Sequence, residues 1–96
     1  MAKFRTKVKH VEAVCWEGER FSSEPQWLLD AMAQGDGEIG RVHIDEERTP
    51  WVEGGFMEMA MDEGDWLIRM GDRDLHIVDG ATFAADYEPD YDPQRR

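Results

Sequence analysis

The sequence predicts a small α+β domain, in which a mostly antiparallel β-sheet of four or five strands carries one α-helix on a face. The chain has 96 residues, and this length suits one domain because domains commonly hold about 100–200 residues. Apolar residues recur at helical spacing in one early segment, and several short apolar runs separated by glycine-containing turns follow it. We expect one domain over residues 1–90 and a flexible C-terminal tail over residues 91–96.

The first two elements are predicted to be a strand and a helix. Residues 7–16 are rich in valine and are predicted to form the strand. A helix over residues 24–34 follows, with Ser23 as its N-cap and Gln26 three residues later, which is the spacing of a capping box. Gly35 is expected to end this helix. The apolar positions at helical spacing are Trp27, Leu28, Ala31 and Met32.

Short strands joined by tight turns account for the rest of the chain. Residues 45–50 are polar and are predicted to be a loop, whereas Gly71-Asp72 is typical of a hairpin turn. Residues 81–87 fit either a short helix or a final extended segment, because their apolar residues show no clear period. The later strands are predicted at residues 41–44, 56–61, 66–70 and 75–78.

A sheet with one helix on one face leaves its other face uncovered. Four tryptophans in a chain this short strengthen the expectation that a second layer covers that face. A second copy of the chain would supply this layer, and we therefore expect a homo-oligomer.

The charge of the chain is strongly acidic and unevenly distributed. The formal net charge is −11, and the first ten residues include four basic residues and no acidic one. An acidic chain repels phosphates, so general nucleic-acid binding is not expected. Three interpretations remain open: a solvated surface that maintains solubility, mimicry of nucleic acid by carboxylates, and a local cationic pocket on an acidic body. No apolar run has the roughly 18–20 residues of a membrane span, so no membrane partner is expected.

Patterns that indicate catalysis or metal binding are weak. The sequence contains no G-x-x-x-x-G-K phosphate loop and no H-E-x-x-H pair. His43, Asp45 and Glu47 would share one face of a strand, as metal ligands do, but a hydrated edge strand is the simpler interpretation. Cys15 has no base partner nearby in sequence and is expected to be a half-buried thiol rather than a nucleophile. We therefore expect no enzyme activity, no catalytic residue, no metal and no cofactor.

Three sequence blocks at the two ends of the chain form a recognisable combination. They read KFRTKVKHVEAVCW at residues 3–16, GDWLIRM at residues 64–70 and DGATFAADYEP at residues 79–89. They resemble a family of short bacteriophage proteins, whose opening pattern is close to K-F/Y-R-K-K-P-V-V-I-E-A-V-Q-W and whose closing patterns are close to G-D-W-I-I-R-G and P-D-I-F-E-A-T-Y-E-P. Val8 and Cys15 stand where that family has proline and glutamine.

The resemblance implies a phage origin, the fold of that family and action in the cytoplasm of a bacterial host. Small phage proteins of this kind often serve in host takeover or counter-defence. Some of them sequester cyclic-nucleotide or cyclic ADP-ribose-like immune signals. The resemblance therefore supports the hypothesis that this chain is a nucleotide sponge, which binds its ligand without turnover.

Aromatic and basic side chains supply the groups that a small anionic nucleotide would need. Rings stack on bases, and arginines donate paired hydrogen bonds to phosphates. Arg69 and Arg73 flank the turn at Gly71 and are expected to form a cationic spot. Trp66, three residues before Arg69, faces the other way in a regular strand. The structural alternatives are tryptophans that belong to the core and an ion pair of Arg69 with Asp65 within the sheet. The candidate ligand-binding residues are Arg5, Lys7, Trp16, Trp66, Arg69 and Arg73.

Three functions fit these observations. The leading hypothesis is a phage counter-defence protein that sequesters a small cyclic-nucleotide signal at a homo-oligomer interface, since a chain this small cannot enclose a ligand alone. The alternative is an acidic protein-interaction module, either a nucleic-acid mimic or an inhibitor of a host enzyme. A small virion accessory protein is the third. Buried, rigid arginines beside aromatic rings would favour the first hypothesis, and acids along one continuous face would favour the second.

Overall fold

The structure, a computed structural model, describes residues 11–87 and places six strands and two helices there. The predicted α+β class with antiparallel strands is confirmed. The element bounds are β1 Glu12–Cys15, α1 Gln26–Met32, β2 Val42–Ile44, β3 Pro50–Glu53, β4 Glu58–Ala60, β5 Trp66–Gly71, β6 Asp74–Val78 and α2 Gly80–Asp86.

The strands form two antiparallel three-stranded sheets rather than one sheet of four or five strands. The first sheet has the order β1-β5-β6 and the second the order β2-β3-β4. The prediction of a single sheet is wrong because the strands of each sheet bond among themselves. Strands β2, β3 and β4 follow one another as a meander, and β5 and β6 form a hairpin to which the early strand β1 is added.

One apolar core lies between the two sheets and α1. Val14 and Leu67 come from the first sheet, Val42 and Val52 from the second, and Leu28 from the helix, and all five are fully buried. Alternation along each strand sends these side chains to one face. The second layer that was expected from another copy of the chain is therefore supplied within the chain, and a homo-oligomer does not follow from an uncovered sheet.

Helix α2 covers part of the opposite face of the first sheet. Residues 81–87, which fitted a helix or an extended segment, are helical through Asp86. Asp79 caps this helix, because its side chain accepts a hydrogen bond from the Thr82 backbone N–H at 2.8 Å. Phe83 stacks on Trp66 with ring centroids 4.0 Å apart and an interplanar angle of 5°. This contact fixes the helix on the sheet.

Helix α1 begins differently from the sequence prediction. Pro25 is the N-cap, with φ −65° and ψ 161°, and no side chain caps the helix. The prediction of Ser23 as a cap with Gln26 as its capping-box partner is wrong, since the Gln26 side chain donates instead to Asp30 at 2.9 Å. The fixed φ of proline already suits the start of a helix, which explains how the helix begins without a side-chain cap.

Strand β3 was not predicted, and it begins inside the predicted loop. Residues 45–49 do form a turn, in which Asp45 accepts hydrogen bonds from the backbone N–H groups of Glu47 and Thr49. Pro50 is the first residue of the strand and lies opposite Ile44. A proline at the first position of a strand removes no essential ladder bond, so Thr49-Pro50 marks the start of a strand here rather than a longer loop.

Parts of two predictions lie outside the described residues: the beginning of the first strand at residues 7–10 and the C-terminal tail at residues 91–96. Within residues 11–87, neither helix has the length and apolar character needed to cross a membrane.

Candidate functional site

A cleft separates α1 from the β5–β6 hairpin. Its volume is about 80 Å³. Arg69 and Leu75 are paired across β5 and β6, and both lie on the sheet face that also carries Leu67, so the cleft opens beside the core. The lining residues come from α1 (Trp27, Asp30 and Ala31), from the loop between α1 and β2 (Gln34 and Gly40) and from the hairpin (Arg69, Asp72, Arg73 and Leu75).

Arg69 is held in the wall of the cleft by an ion pair across the first sheet. It lies directly opposite Glu12 of β1, and its Nη1 donates to Glu12 Oε1 at 3.1 Å. Asp65, the partner considered from the sequence, precedes the strand and accepts a hydrogen bond from the Asp62 backbone N–H at 2.9 Å. The Arg69 side chain is 36 % exposed, so part of it remains accessible to a ligand.

Arg73 reaches the same cleft from the turn between β5 and β6. Its φ is 62°, in the left-handed region that non-glycine residues seldom adopt. Within residues 11–87 no carboxylate forms an ion pair with its guanidinium. A glycine would adopt this backbone conformation with less strain, so the turn itself gives no reason for the arginine side chain.

Gly40 fixes the position of the Arg73 backbone. A Cβ built on Gly40 would lie 2.9 Å from Arg73 Cα and 3.0 Å from its carbonyl oxygen, so only glycine permits this close approach. Gly40 is buried, with φ 85°. The contact joins the loop before the second sheet to the hairpin of the first sheet, and it places Arg73 over the cleft.

Trp27 gives the cleft an aromatic wall that the sequence assigned to the helix core. It is partly buried and packs against the core. Its Nε1 is buried and has no hydrogen-bond acceptor among the described residues. A buried donor without a partner costs about 1–3 kcal/mol. An acceptor provided by a ligand at this cleft would remove that cost.

Two carboxylates balance the two guanidiniums of the cleft. Asp30 and Asp72 line it together with Arg69 and Arg73, so the lining is formally neutral on a chain whose net charge is −11. Charge repulsion of an anion is therefore weaker here than over the acidic surface. The lining combines donors for an anionic group with acceptors for an amino group.

The structure separates the residues that the sequence proposed as one ligand site. Arg69 and Arg73 line the same cleft, as expected for the cationic spot, but the expected burial is not found, because Arg69 is only partly buried and Arg73 is exposed. Trp16 lies in the core at 2 % exposure, in edge-to-face contact with Phe21, so it offers no ring face to a ligand. Trp66 lies on the opposite face of the first sheet, with one ring face covered by Phe83. Arg5 and Lys7 lie outside the described residues.

Trp27, Asp30 and Gln34 are cleft residues that the sequence reasoning missed. Trp27 and Asp30 are three residues apart and share one face of α1 with Ala31, and Gln34 follows just after the helix ends at Met32. The available signal was Asp30 on the same helical stripe as Trp27, since a stripe that only faced the core would be apolar throughout.

Three glycines at residues 35, 37 and 40 have the spacing G-x-G-x-x-G. The pattern signals a dinucleotide-binding loop only when it follows a strand and opens a helix. Here it follows α1 and precedes β2, so it does not form a phosphate loop at the start of a helix. Its functional consequence is the contact of Gly40 with Arg73.

The other chemically interesting groups are engaged in local structure. His43 Nε2 lies 2.9 Å from Glu58 Oε2, and Asp45 accepts from Trp51 Nε1 at 2.8 Å. Within residues 11–87 no three His, Cys, Asp or Glu side chains are grouped so that they could hold a metal ion. Burial raises the pKa of the Cys15 thiol, and the nearby charges of Glu17 and Asp65 raise it further. A thiol that stays protonated is a poor nucleophile.

No protein-family profile, no curated protein and no solved structure shows a significant match to this chain.

Proposed function

We propose that this chain is a phage counter-defence protein that sequesters a small cyclic nucleotide in the cleft between α1 and the β5–β6 hairpin. The observation that carries the proposal is the convergence of Arg69, Arg73 and Trp27 on one cleft of an otherwise acidic chain. The resemblance of the chain ends to short phage proteins supplies the biological setting. Binding alone accounts for the proposed activity, and no turnover is required.

Each charged group of the cleft is assigned one type of contact with the nucleotide. The guanidiniums of Arg69 and Arg73 donate to phosphate oxygens, for which their planar forks are well suited. The carboxylates of Asp30 and Asp72 accept hydrogen bonds from the exocyclic amine of a base. This division predicts a preference for nucleotides with adenine, guanine or cytosine over those with uracil, which lacks an exocyclic amine.

The size of the cleft supports the proposal that a second copy completes the site. Pockets for small molecules commonly have volumes of about 300–1,000 Å³, whereas this cleft has about 80 Å³. A cyclic dinucleotide bound here would extend beyond one chain. We therefore propose that a homo-oligomer of this chain encloses the ligand. Light scattering in the absence and presence of ligand measures the oligomeric state and tests this proposal.

The test is a thermal-shift panel of cyclic di- and trinucleotides, cyclic ADP-ribose isomers and mononucleotides on wild type and two variants. Arg73→Gly removes one of the two guanidiniums of the cleft and leaves that of Arg69. Arg48→Gly is the matched control, because Arg48 has the same left-handed backbone (φ 67°) and the same charge but lies away from this cleft. Both changes relieve backbone strain, so both variants should fold.

A ligand present at 100 times its Kd stabilises the folded chain by about 2.7 kcal/mol, which raises Tm by roughly 10–20 °C in a domain of this size. We expect Arg73→Gly to weaken binding by roughly 10- to 100-fold, since hydrogen bonds to charged groups contribute about 1.5–3 kcal/mol. Arg48→Gly should bind as wild type does. A flat panel, or an equal loss of affinity in both variants, would contradict the proposal.

A further inference from the structure

The tip of the β3–β4 hairpin exposes three apolar side chains that the cleft does not use. Phe56 is fully exposed, Met57 is 64 % exposed and Ile39 is 53 % exposed. A Cβ built on Gly55 would lie 3.6 Å from Ile39 Cδ1, so Ile39 lies beside the turn although it belongs to the loop before β2. We call Ile39, Phe56 and Met57 the apolar tip.

The apolar tip is presented by a turn with defined hydrogen bonds. The Gly54 N–H donates to the Met57 carbonyl oxygen at 2.9 Å, and Gly55 adopts φ 94°, which favours glycine. The backbone of Glu53 also forms two hydrogen bonds with the loop before β2. Its N–H donates to the Arg41 carbonyl oxygen and its carbonyl oxygen accepts from the Gly40 N–H, both at 2.9 Å. These backbone hydrogen bonds therefore order the hairpin that exposes the Phe56 side chain to solvent.

Acidic side chains surround the apolar tip. Glu53 and Glu58 lie directly opposite each other at the end of the β3–β4 ladder, and like charges in that position destabilise a sheet. Glu38 precedes Ile39 and is exposed. His43 contacts Glu58, but none of the contacts described for Glu53 is with a basic side chain. A cationic group brought by a partner would relieve this repulsion.

We propose that the apolar tip is a docking site for a short segment of another protein, in which aromatic or large aliphatic residues are flanked by lysine or arginine. Phe56 is the anchor that packs against these apolar side chains, since a few central aromatic residues commonly carry most of the binding energy of an interface. Glu53 and Glu58 attract the flanking basic residues and direct the approach of the partner. A second copy of this chain is a poorer occupant, because it would bring the same glutamates and a net charge of −11.

The test is selection from a displayed library of random 16-residue peptides on the immobilised full chain, followed by affinity measurements with the selected peptides. We expect these peptides to combine aromatic or large aliphatic residues with lysine or arginine. Phe56→Ser should weaken their binding by at least tenfold. Met70→Ser is the matched control, since Met70 is 42 % exposed but lies on β5 of the other sheet, and it should leave the affinity unchanged.

Glu53→Gln provides a second readout that a purely structural role would not produce. This change removes the repulsion with Glu58, so it should leave folding stability unchanged or raise it, while it weakens peptide binding and makes that binding less sensitive to salt. The proposal is overturned if no peptide is selected, if the selected peptides lack basic residues or if they bind Phe56→Ser as well as wild type. A dimer that dissociates in Phe56→Ser would also overturn it, by identifying a second copy as the occupant.

Discussion

Two arginines of this chain have left-handed backbone conformations, and their side chains differ in what they contact. Arg48 and Arg73 have φ values of 67° and 62°. Arg48 Nη2 donates to the Glu19 carbonyl oxygen at 2.9 Å, a contact that gives its side chain a structural role. Arg73 forms no ion pair within residues 11–87 and instead lines the cleft. Of these two arginines, Arg73 is therefore the one whose guanidinium is available to bind a ligand in the cleft.

The free energy of unfolding is predicted to depend on pH through the carboxylate of Asp45. Hydrogen bonds from the Thr49 N–H, then from Trp51 Nε1–H and less strongly from the Glu47 N–H, hold the pKa of Asp45 below its usual range. The stability that these bonds contribute is complete above the ordinary aspartate pKa of about 3.9 and is lost as pH falls through the lowered pKa. We expect Asp45→Asn to flatten the loss of unfolding free energy below about pH 4, measured by urea denaturation at several pH values.

Glu46→Gln is the control for this prediction, because Glu46 is exposed in the same turn and the change removes the same charge. It should follow the wild-type pH dependence. If wild type and Asp45→Asn instead lose stability in parallel on acidification, the hydrogen bonds to Asp45 do not stabilise the folded state as described.

At the scale of elements, the contact of Gly40 with the β5–β6 turn predicts a difference between two glycine substitutions. Gly40 and Gly37 both have positive φ values, 85° and 80°, so alanine at either position costs about 1–2 kcal/mol of backbone strain. A Cβ at Gly37 would meet nothing within 4 Å, whereas a Cβ at Gly40 would approach the Arg73 backbone at 2.9 Å. We expect Gly40→Ala to cost about 1–3 kcal/mol more than Gly37→Ala, measured by chemical denaturation.

Ligand affinity should follow the same order as stability in these two variants. Gly40→Ala displaces Arg73 from the cleft and should weaken binding of the ligand found in the panel, while Gly37→Ala should bind normally. Equal destabilisation by the two substitutions would show that Gly40 is not in tight contact with the backbone of Arg73.

The sequence predicted the elements with strong local signals and missed those that depend on tertiary contacts. Helix α1 and the β5–β6 hairpin were found because apolar spacing and a glycine next to a turn are local features, although the turn consists of Asp72 and Arg73 and Gly71 is the last residue of β5. Strand β3 was missed because a four-residue strand that begins at Pro50 is too short to show alternation above its polar surroundings. The division into two sheets depends on which strand pairs with which, and that choice is fixed by the shared core rather than by any one segment.

The candidate site was also only partly predictable. Arg69 lies in β5 and Arg73 in the turn that directly follows this strand, so their proximity could be expected from the sequence. The place of Trp27 depends on how α1 packs on the hairpin, which the sequence does not show. Trp16 and Trp66 have the same residue type and comparable surroundings in sequence, but one lies in the core and the other faces α2.

At the scale of the whole molecule, two surfaces with different chemistry lie on one shared core. The cleft is formally neutral and is lined by arginines, aspartates and a tryptophan. The apolar tip belongs to the second sheet and has an acidic rim. Gly40 links the two surfaces, because it contacts Arg73 and donates to the Glu53 carbonyl oxygen. The Phe56 side chain is fully exposed, so substitutions at Arg73 and Phe56 should still affect ligand binding and peptide binding independently.

The measurement that tests the central claim most directly is a titration of the chain with adenine- and guanine-containing cyclic dinucleotides, followed by the NMR signals of the four tryptophan indole N–H groups. Trp27 borders the cleft and its N–H has no acceptor among the described residues, whereas Trp66 lies on the other face of the first sheet. We predict a saturable shift of the Trp27 signal that needs roughly 10- to 100-fold more ligand in Arg73→Gly, with the Trp66 signal unchanged. A Trp27 signal that stays fixed at millimolar ligand, or a shift centred on Trp66, would contradict the account.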